Sequence, residues 1–253
     1  MLAIERAGRV MVATLARPPV NALDGELIAR LDEVLEQVSA DPEIAVLHIR
    51  SDQASFCAGA DLALMRSCFL TERRGAMVDV VRSMQRLFTR LETAAVVTLA
   101  EIGGAAMGGG LELALACDLR VAALDAMLGL PEVRLGLIPA AGGTQRLTRL
   151  CGQGAAKRLI LGAELIDGAE ALRLGIVQWA RPREQLAGWT RELAARLSRM
   201  PKAALVLSKR CIHAGGEPGR DGFAEEIAAT QSLYDHPETV AKVSDFLNKR
   251  HAN

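Results

Sequence analysis

From residue 10 to residue 99, short apolar runs alternate with longer stretches whose apolar positions recur every three or four residues. That alternation confines the chain to mixed α/β layering. Val10 to Leu15, Ala45 to Ile49 and Ala95 to Leu99 have the length and composition of strands. Between the first two, Leu27, Ile28, Leu31, Val34, Leu35 and Val38 share one side of a helix that Asp24 caps and Asp41-Pro42 ends. Between the last two, Met77, Val78, Val81, Met84, Leu87, Phe88 and Leu91 line one side of a longer helix. Leu2 to Glu5 and Val10 to Leu15 form an opening hairpin around Gly8.

Past residue 100 glycines gather as Gly103-Gly104 and Gly108-Gly109-Gly110, followed by a short apolar helix from Leu111 to Cys117. Strands are expected at Asp118 to Ala122 and Met127 to Leu130, then a loop from Pro131 to Gly143. Helical signals dominate afterwards: Gly154 to Leu161, Asp167 to Leu174, Glu184 to Arg199, Pro201 to His213, Asp221 to Tyr234 and Pro237 to Lys249. A chain of 253 residues is worth about 1.7 average domains. The expected organisation is a core over residues 1–195 and a helical appendage over residues 196–253.

Composition removes several function classes. Thirty Lys and Arg balance thirty Asp and Glu, and aromatic residues make up only 3%, so neither a basic surface nor a stacking platform for nucleic acid is expected. No run reaches the roughly 18 apolar residues of a membrane span, and Glu5, Arg6 and Arg9 break up any signal-peptide core at the start. Five cysteines, odd in number and without a C-x-x-C pair, point to a reducing compartment, and a cytoplasmic location is expected. The four histidines lack metal-ligand spacing, and neither the dinucleotide nor the P-loop glycine pattern occurs.

From Ile102 to Cys117 the only charged residue is Glu112. A buried carboxylate is costly unless it is paired or used, so Glu112 either meets an arginine such as Arg120, lies at an exposed helix edge, or does chemistry. Glu132, after Pro131 and beside Val133, is either a turn carboxylate or a second such group. Desolvation raises carboxyl pKa values toward neutrality, which suits two glutamates to acid and base work on one substrate. The N–H groups of Gly109, near a helix N-terminus, and of Ala60, in the tight Ala58-Gly59-Ala60 turn, are candidate donors to a developing oxyanion. The same glycines would also serve close packing.

The segments Phe56 to Leu62, Gly108 to Ala114 with Cys117-Asp118, Gly129 to Glu132, Gly136 to Pro139 and Gly142 to Leu147 resemble the crotonase, or enoyl-CoA hydratase/isomerase, superfamily. Asn21-Ala22-Leu23 and Phe246 to Arg250 also resemble landmarks of that family, so the likeness covers nearly the whole chain. It implies an α/β fold, a spiral of ββα turns with a C-terminal helical oligomerisation region, assembled as a homotrimer or dimer of trimers. It implies an acyl-CoA substrate, with coenzyme A part of that substrate and no separate cofactor. It also implies catalysis by Glu112 and Glu132 and an oxyanion hole at Ala60 and Gly109. Ala58, Asp61, Leu62, Phe246 and Lys249 become candidate substrate contacts, with Arg17 a further candidate at the nucleotide end. Ala63 replaces a lysine common in the family, and Ala140 replaces a glycine.

The leading expectation is hydration of a 2-trans-enoyl-CoA. A shift of the double bond from position 3 to 2 would need Glu132 alone, and a non-catalytic acyl-CoA-binding protein would need neither glutamate. Leu62, Leu64, Met65, Phe69 and the face of the Met77 to Leu91 helix are the candidate wall of the acyl pocket.

Overall fold

The computed structural model describes residues 1–71, 74–217 and 219–251, apart from the side chains of Leu62, Arg74, Arg250 and His251. Strand β1 (Leu2–Ala7) pairs antiparallel with β2 (Val10–Leu15), and Gly8 turns between them at φ +62°. Helix α1 (Gly25–Ala40) follows. The Asp24 carboxylate accepts the Leu27 N–H, and the six apolar positions named for this helix are its buried ones. Next come β3 (Val46–Ser51), α2 (Leu62–Leu70), α3 (Arg74–Glu92) and β4 (Val97–Ile102). Strand β5 (Ala106–Met107) leads through Gly108 into α4 (Gly109–Leu115), then β6 (Leu119–Ala123) and β7 (Met127–Gly129). A single 3-10 turn, Glu132–Leu135, precedes α5 (Gly143–Leu161), β8 (Ile166–Asp167), α6 (Gly168–Arg173), β9 (Trp179–Arg181) and α7 (Arg183–Ser198).

The larger sheet has the order β1-β2-β3-β4-β6-β9 and is parallel from β2 onward. Parallel neighbours need crossovers: α1, the α2–α3 pair and α4 supply the first three in turn, and the segment holding α5 and α6 carries the chain from β6 to β9. Strands β3 and β4 are almost wholly buried, in keeping with their continuous apolar runs. The smaller sheet, β5-β7-β8, stacks short pieces of two or three residues. Isolated parallel bridges, Leu23 with Ala60 and Cys57 with Ala106, stitch loops onto this framework.

The chain divides into two units, Met1–Leu197 and Ser198–Asn253. The second unit is helical among its described residues: α8 (Lys202–Ala214), α9 (Gly222–Tyr234) and α10 (Pro237–His251). Among the described residues no helix is long and apolar enough to cross a membrane.

Four features differ from the sequence-based expectation. Strands β5, β8 and β9 carry no pattern because two or three residues cannot display a period. Helix α2 was not expected; its start is set by Asp61, whose carboxylate accepts from the N–H groups of Ala63 and Leu64. Glu132 opens a helical turn rather than a loop. Helix α5 begins at Gly143, eleven residues before the expected start at Gly154, and breaks its helical geometry at Gly152, where φ is +76°. Glycines at 142, 143, 152 and 154 depress helix propensity there, so packing decides the helix.

Candidate active site

Glu112 sits in the first turn of α4 with 3% of its surface exposed. Its N–H bonds to the Gly108 carbonyl at 2.9 Å, and one carboxylate oxygen accepts the Gly143 N–H at 2.7 Å. Burial pushes its carboxyl up to about 7 against the pull of that N–H, and the nearby charge of Glu132 pushes the same way. Arg120 is not its partner. That buried guanidinium is spent on the carbonyls of Ile176, Ala114 and Cys117. Glu112 is therefore a carboxylate held by backbone amides of the 141–143 turn, with the Arg146 charge nearby partly offsetting its burial.

Glu132 reaches the same cavity from the 3-10 turn. Burial raises its pKa above the ordinary carboxylate value, and its Oε2 is buried with no hydrogen-bond partner. Such an atom is costly unless something polar comes to it. Its Oε1 lies 2.7 Å from the point where a side chain at Gly108 would begin, so only glycine at 108 lets the carboxylate approach. Gly143 plays the same part for Glu112, at 2.8 Å.

The amides come from two adjacent turns. Leu23 clamps the 58–61 segment: its N–H donates to the Gly59 carbonyl at 2.7 Å, and its carbonyl accepts the Asp61 N–H at 3.0 Å. Ala60 lies between these bonds, and among the described residues its own N–H has no protein acceptor. Neither does that of Gly109, which opens α4 and so has no intrahelical acceptor. Gly59, at φ +92°, has its missing side-chain position 3.1 Å from the Gly109 nitrogen, so the two turns touch back to back. Ala58, Ala60, Gly109, Glu112 and Glu132 all line one cavity of about 500 Å³. The rest of its wall is apolar, supplied mainly by α2, α3, the 3-10 turn and the loop after it, with Met107 of β5.

The other expected contacts divide. The Asp61 carboxylate caps α2 and accepts from Arg17 at 2.7 Å, and it does not line the cavity. The Arg17 guanidinium spans Asp24 and Asp61 and reaches the Ala22 carbonyl, which ties the loop together instead of leaving a cation for a nucleotide. The Leu62 side chain lies outside the described residues. Met65 and Phe69 line the cavity, whereas Leu64 does not. On α3 the cavity takes Met77, Val78, Val81 and Met84, while Leu87, Phe88 and Leu91 turn into the core. Phe246 and Lys249 are exposed on α10, in the second unit. The Cys57 thiol is buried, donates to the Asn21 carbonyl at 3.0 Å and is pushed up to about 12, the behaviour of a packing residue and not of a nucleophile.

Two supports went unread in the sequence. One is the Gly143 N–H on Glu112. The other is Arg146, 8% exposed, which bonds Glu92 and the Ala141 carbonyl and so anchors the turn that carries Gly143. The Gly-Gly-Thr-Gln-Arg run marks both positions, but nothing in its spacing says that it folds back onto a glutamate thirty-one residues earlier.

The enoyl-CoA hydratase/isomerase family model matches residues 5–253. The chain is 35% identical over 250 residues to a short-chain-enoyl-CoA hydratase of Clostridium acetobutylicum, covering 98% of this chain and 94% of the relative. It is 34% identical over 257 residues to a 2,3-dehydroadipyl-CoA hydratase of Escherichia coli, covering 98% and 96%. The crystal structure of an enoyl-CoA hydratase from Bacillus anthracis superposes with a TM-score of 0.90 at 31% identity, covering 98% of this chain and 96% of that one. Matched along nearly its full length in sequence and in fold, the chain belongs to the enoyl-CoA hydratase/isomerase family.

Proposed function

We propose that this chain adds water across the 2,3 double bond of a 2-trans-enoyl-CoA and releases the 3-hydroxyacyl-CoA, as a hydro-lyase. One observation carries the reading: two desolvated glutamates share a cavity with two unclaimed backbone amides. The thioester carbonyl accepts from the Ala60 and Gly109 N–H groups, which draws electrons from the double bond and leaves C3 open to attack. Water, held between Glu112 and Glu132, gives its oxygen to C3 and a proton to the glutamate pair. The amides stabilise the resulting enolate in a water-poor site, where such donors are worth most. The pair returns a proton to C2, so the enzyme ends in its starting protonation state. Interacting carboxyls titrate jointly, and the two roles belong to the pair.

Coenzyme A enters as part of the substrate, and the reaction needs no further cofactor. Exposed Ala58, which lines the cavity, borders the thioester. Phe246 and Lys249 approach the nucleotide end from a neighbouring subunit. Large apolar side chains exposed on α8 and α9, among them Ile212 at 75% and Phe223 at 83%, support assembly as a homotrimer or dimer of trimers. Five free cysteines support a reducing cytoplasm.

Loss of crotonyl-CoA absorbance tests the reaction. Glu112→Ala and Glu132→Ala are each expected to slow turnover by about 10²- to 10⁴-fold, the range for removing a positioned acid or base. Wild-type turnover in both variants would overturn the assignment. Activity confined to 3-enoyl-CoA would replace hydration by isomerisation.

A further inference from the structure

The cavity continues past the glutamates along one face of α3. Met84, 3% exposed, stands at the inner end, and its Cε lies 2.6 Å from the point where a side chain at Gly109 would begin. Half-buried Val81 follows one turn outward, then half-buried Met77 and exposed Val78 a further turn on. Met65 and Phe69 of α2 also line the cavity. Seven residues of helix at about 1.5 Å each make this wall about 10 Å long. A crotonyl group has three carbon–carbon bonds of about 1.5 Å, so it spans at most about 4.5 Å and leaves the outer part of the wall untouched. Phe69 at 48% and Val78 at 49% exposure are large apolar side chains at the cavity with part of their surface in water. Only an apolar occupant recovers the free energy of covering them.

Among the described residues, every side chain lining the cavity other than Glu112 and Glu132 is apolar. An acyl chain ending in a carboxylate would therefore lie along a wall whose described side chains are apolar and include no cation, near two acidic groups, where a charge gains nothing and loses part of its hydration. We propose that the acyl group this enzyme takes is an uncharged apolar chain of about eight carbons, whose seven carbon–carbon bonds, about 9 Å end to end when extended, cover most of the wall. Crotonyl and ω-carboxylated esters are the poorer ligands. The inference rests on the hydratase reading for the direction in which the chain enters. It separates this chain from the relative named for 2,3-dehydroadipyl-CoA, whose acyl group ends in a carboxylate.

The test is titration calorimetry of the full chain with four non-reacting esters: butyryl-, hexanoyl-, octanoyl- and adipyl-CoA. Each buried methylene contributes about fourfold in affinity, and over a half-exposed wall octanoyl-CoA is expected to bind at least about tenfold tighter than butyryl-CoA. Hexanoyl-CoA is expected to bind at least about tenfold tighter than adipyl-CoA of equal carbon count. Val78→Lys, which puts a cation on the wall, is expected to shift the adipyl-to-hexanoyl ratio toward adipyl by about fivefold. Equal affinities across chain length, adipyl-CoA binding as well as hexanoyl-CoA, or an unmoved ratio in the variant would each overturn the proposal. Flat affinities with rapid crotonyl-CoA hydration would remove the arm and leave the reaction. Graded affinities with no hydration of any enoyl ester would do the reverse.

Discussion

Glu112 shows how one residue can cost stability and supply function. Its folded-state carboxyl is raised to about 7 from an ordinary 4.5, chiefly by desolvation. The native protein therefore holds this proton at pH values where the unfolded chain has released it, and the group's contribution to stability declines as pH climbs from 4.5 to about 7. At about 1.4 kcal/mol per pKa unit, ionising Glu112 inside the fold costs about 3 kcal/mol. Glu112→Gln is expected to remove that decline. Urea midpoints at pH 5 and pH 8 check it: the wild type should lose more stability between the two than the variant, and parallel losses would mean that the carboxyl is not desolvated. The sequence already pointed to Glu112 as the single charge in an apolar stretch. It did not say that a glycine amide, and not Arg120, would meet it.

At the scale of elements, the site is built from turns held in place by strands. Asn21 is fully buried at φ +53°; its side chain accepts the Arg17 N–H and donates to Ser51 Oγ and to the carbonyls of Ser55 and Phe56. It joins the segment containing Leu23 to the end of β3, and Leu23 in turn holds the Ala60 turn. Asn21→Ala removes the side-chain partner of the Arg17 N–H and of the buried Phe56 carbonyl, while the Ser55 carbonyl keeps Ser51 Oγ, and is expected to cost about 2 to 3 kcal/mol, read as a lower urea midpoint with an unchanged slope. Its kcat should fall more than its KM rises if the Ala60 amide loses its aim. The elements themselves were legible where they were long and periodic: α1 and α3 appear with their expected apolar faces. α2 and the first half of α5 were not legible, because a cap in one case and glycine-rich packing in the other set them.

For the molecule as a whole, the exposed apolar face of α9 bears on assembly. Phe223 and Ile227, 83% and 63% exposed, stand four residues apart on one face of α9. Light scattering is expected to return a multiple of 27.0 kDa for the wild type and a lower mass for Phe223→Glu with Ile227→Glu. A monomeric wild type would remove the trimer. The sequence by itself determined the α/β layering, the helical end of the chain, and which carboxylates and amides deserved suspicion, because periodicity, capping and an isolated charge in an apolar run are local facts. Tertiary structure alone decided that Glu112 and Glu132 face one cavity, that Gly143 reaches back to hold the first, that Arg17 and Asp61 are spent on the loop, and where along the apolar face of α3 the cavity ends and the core begins. Those are contacts between residues far apart in the chain, made by strand order and close backbone approach, and no local pattern encodes them.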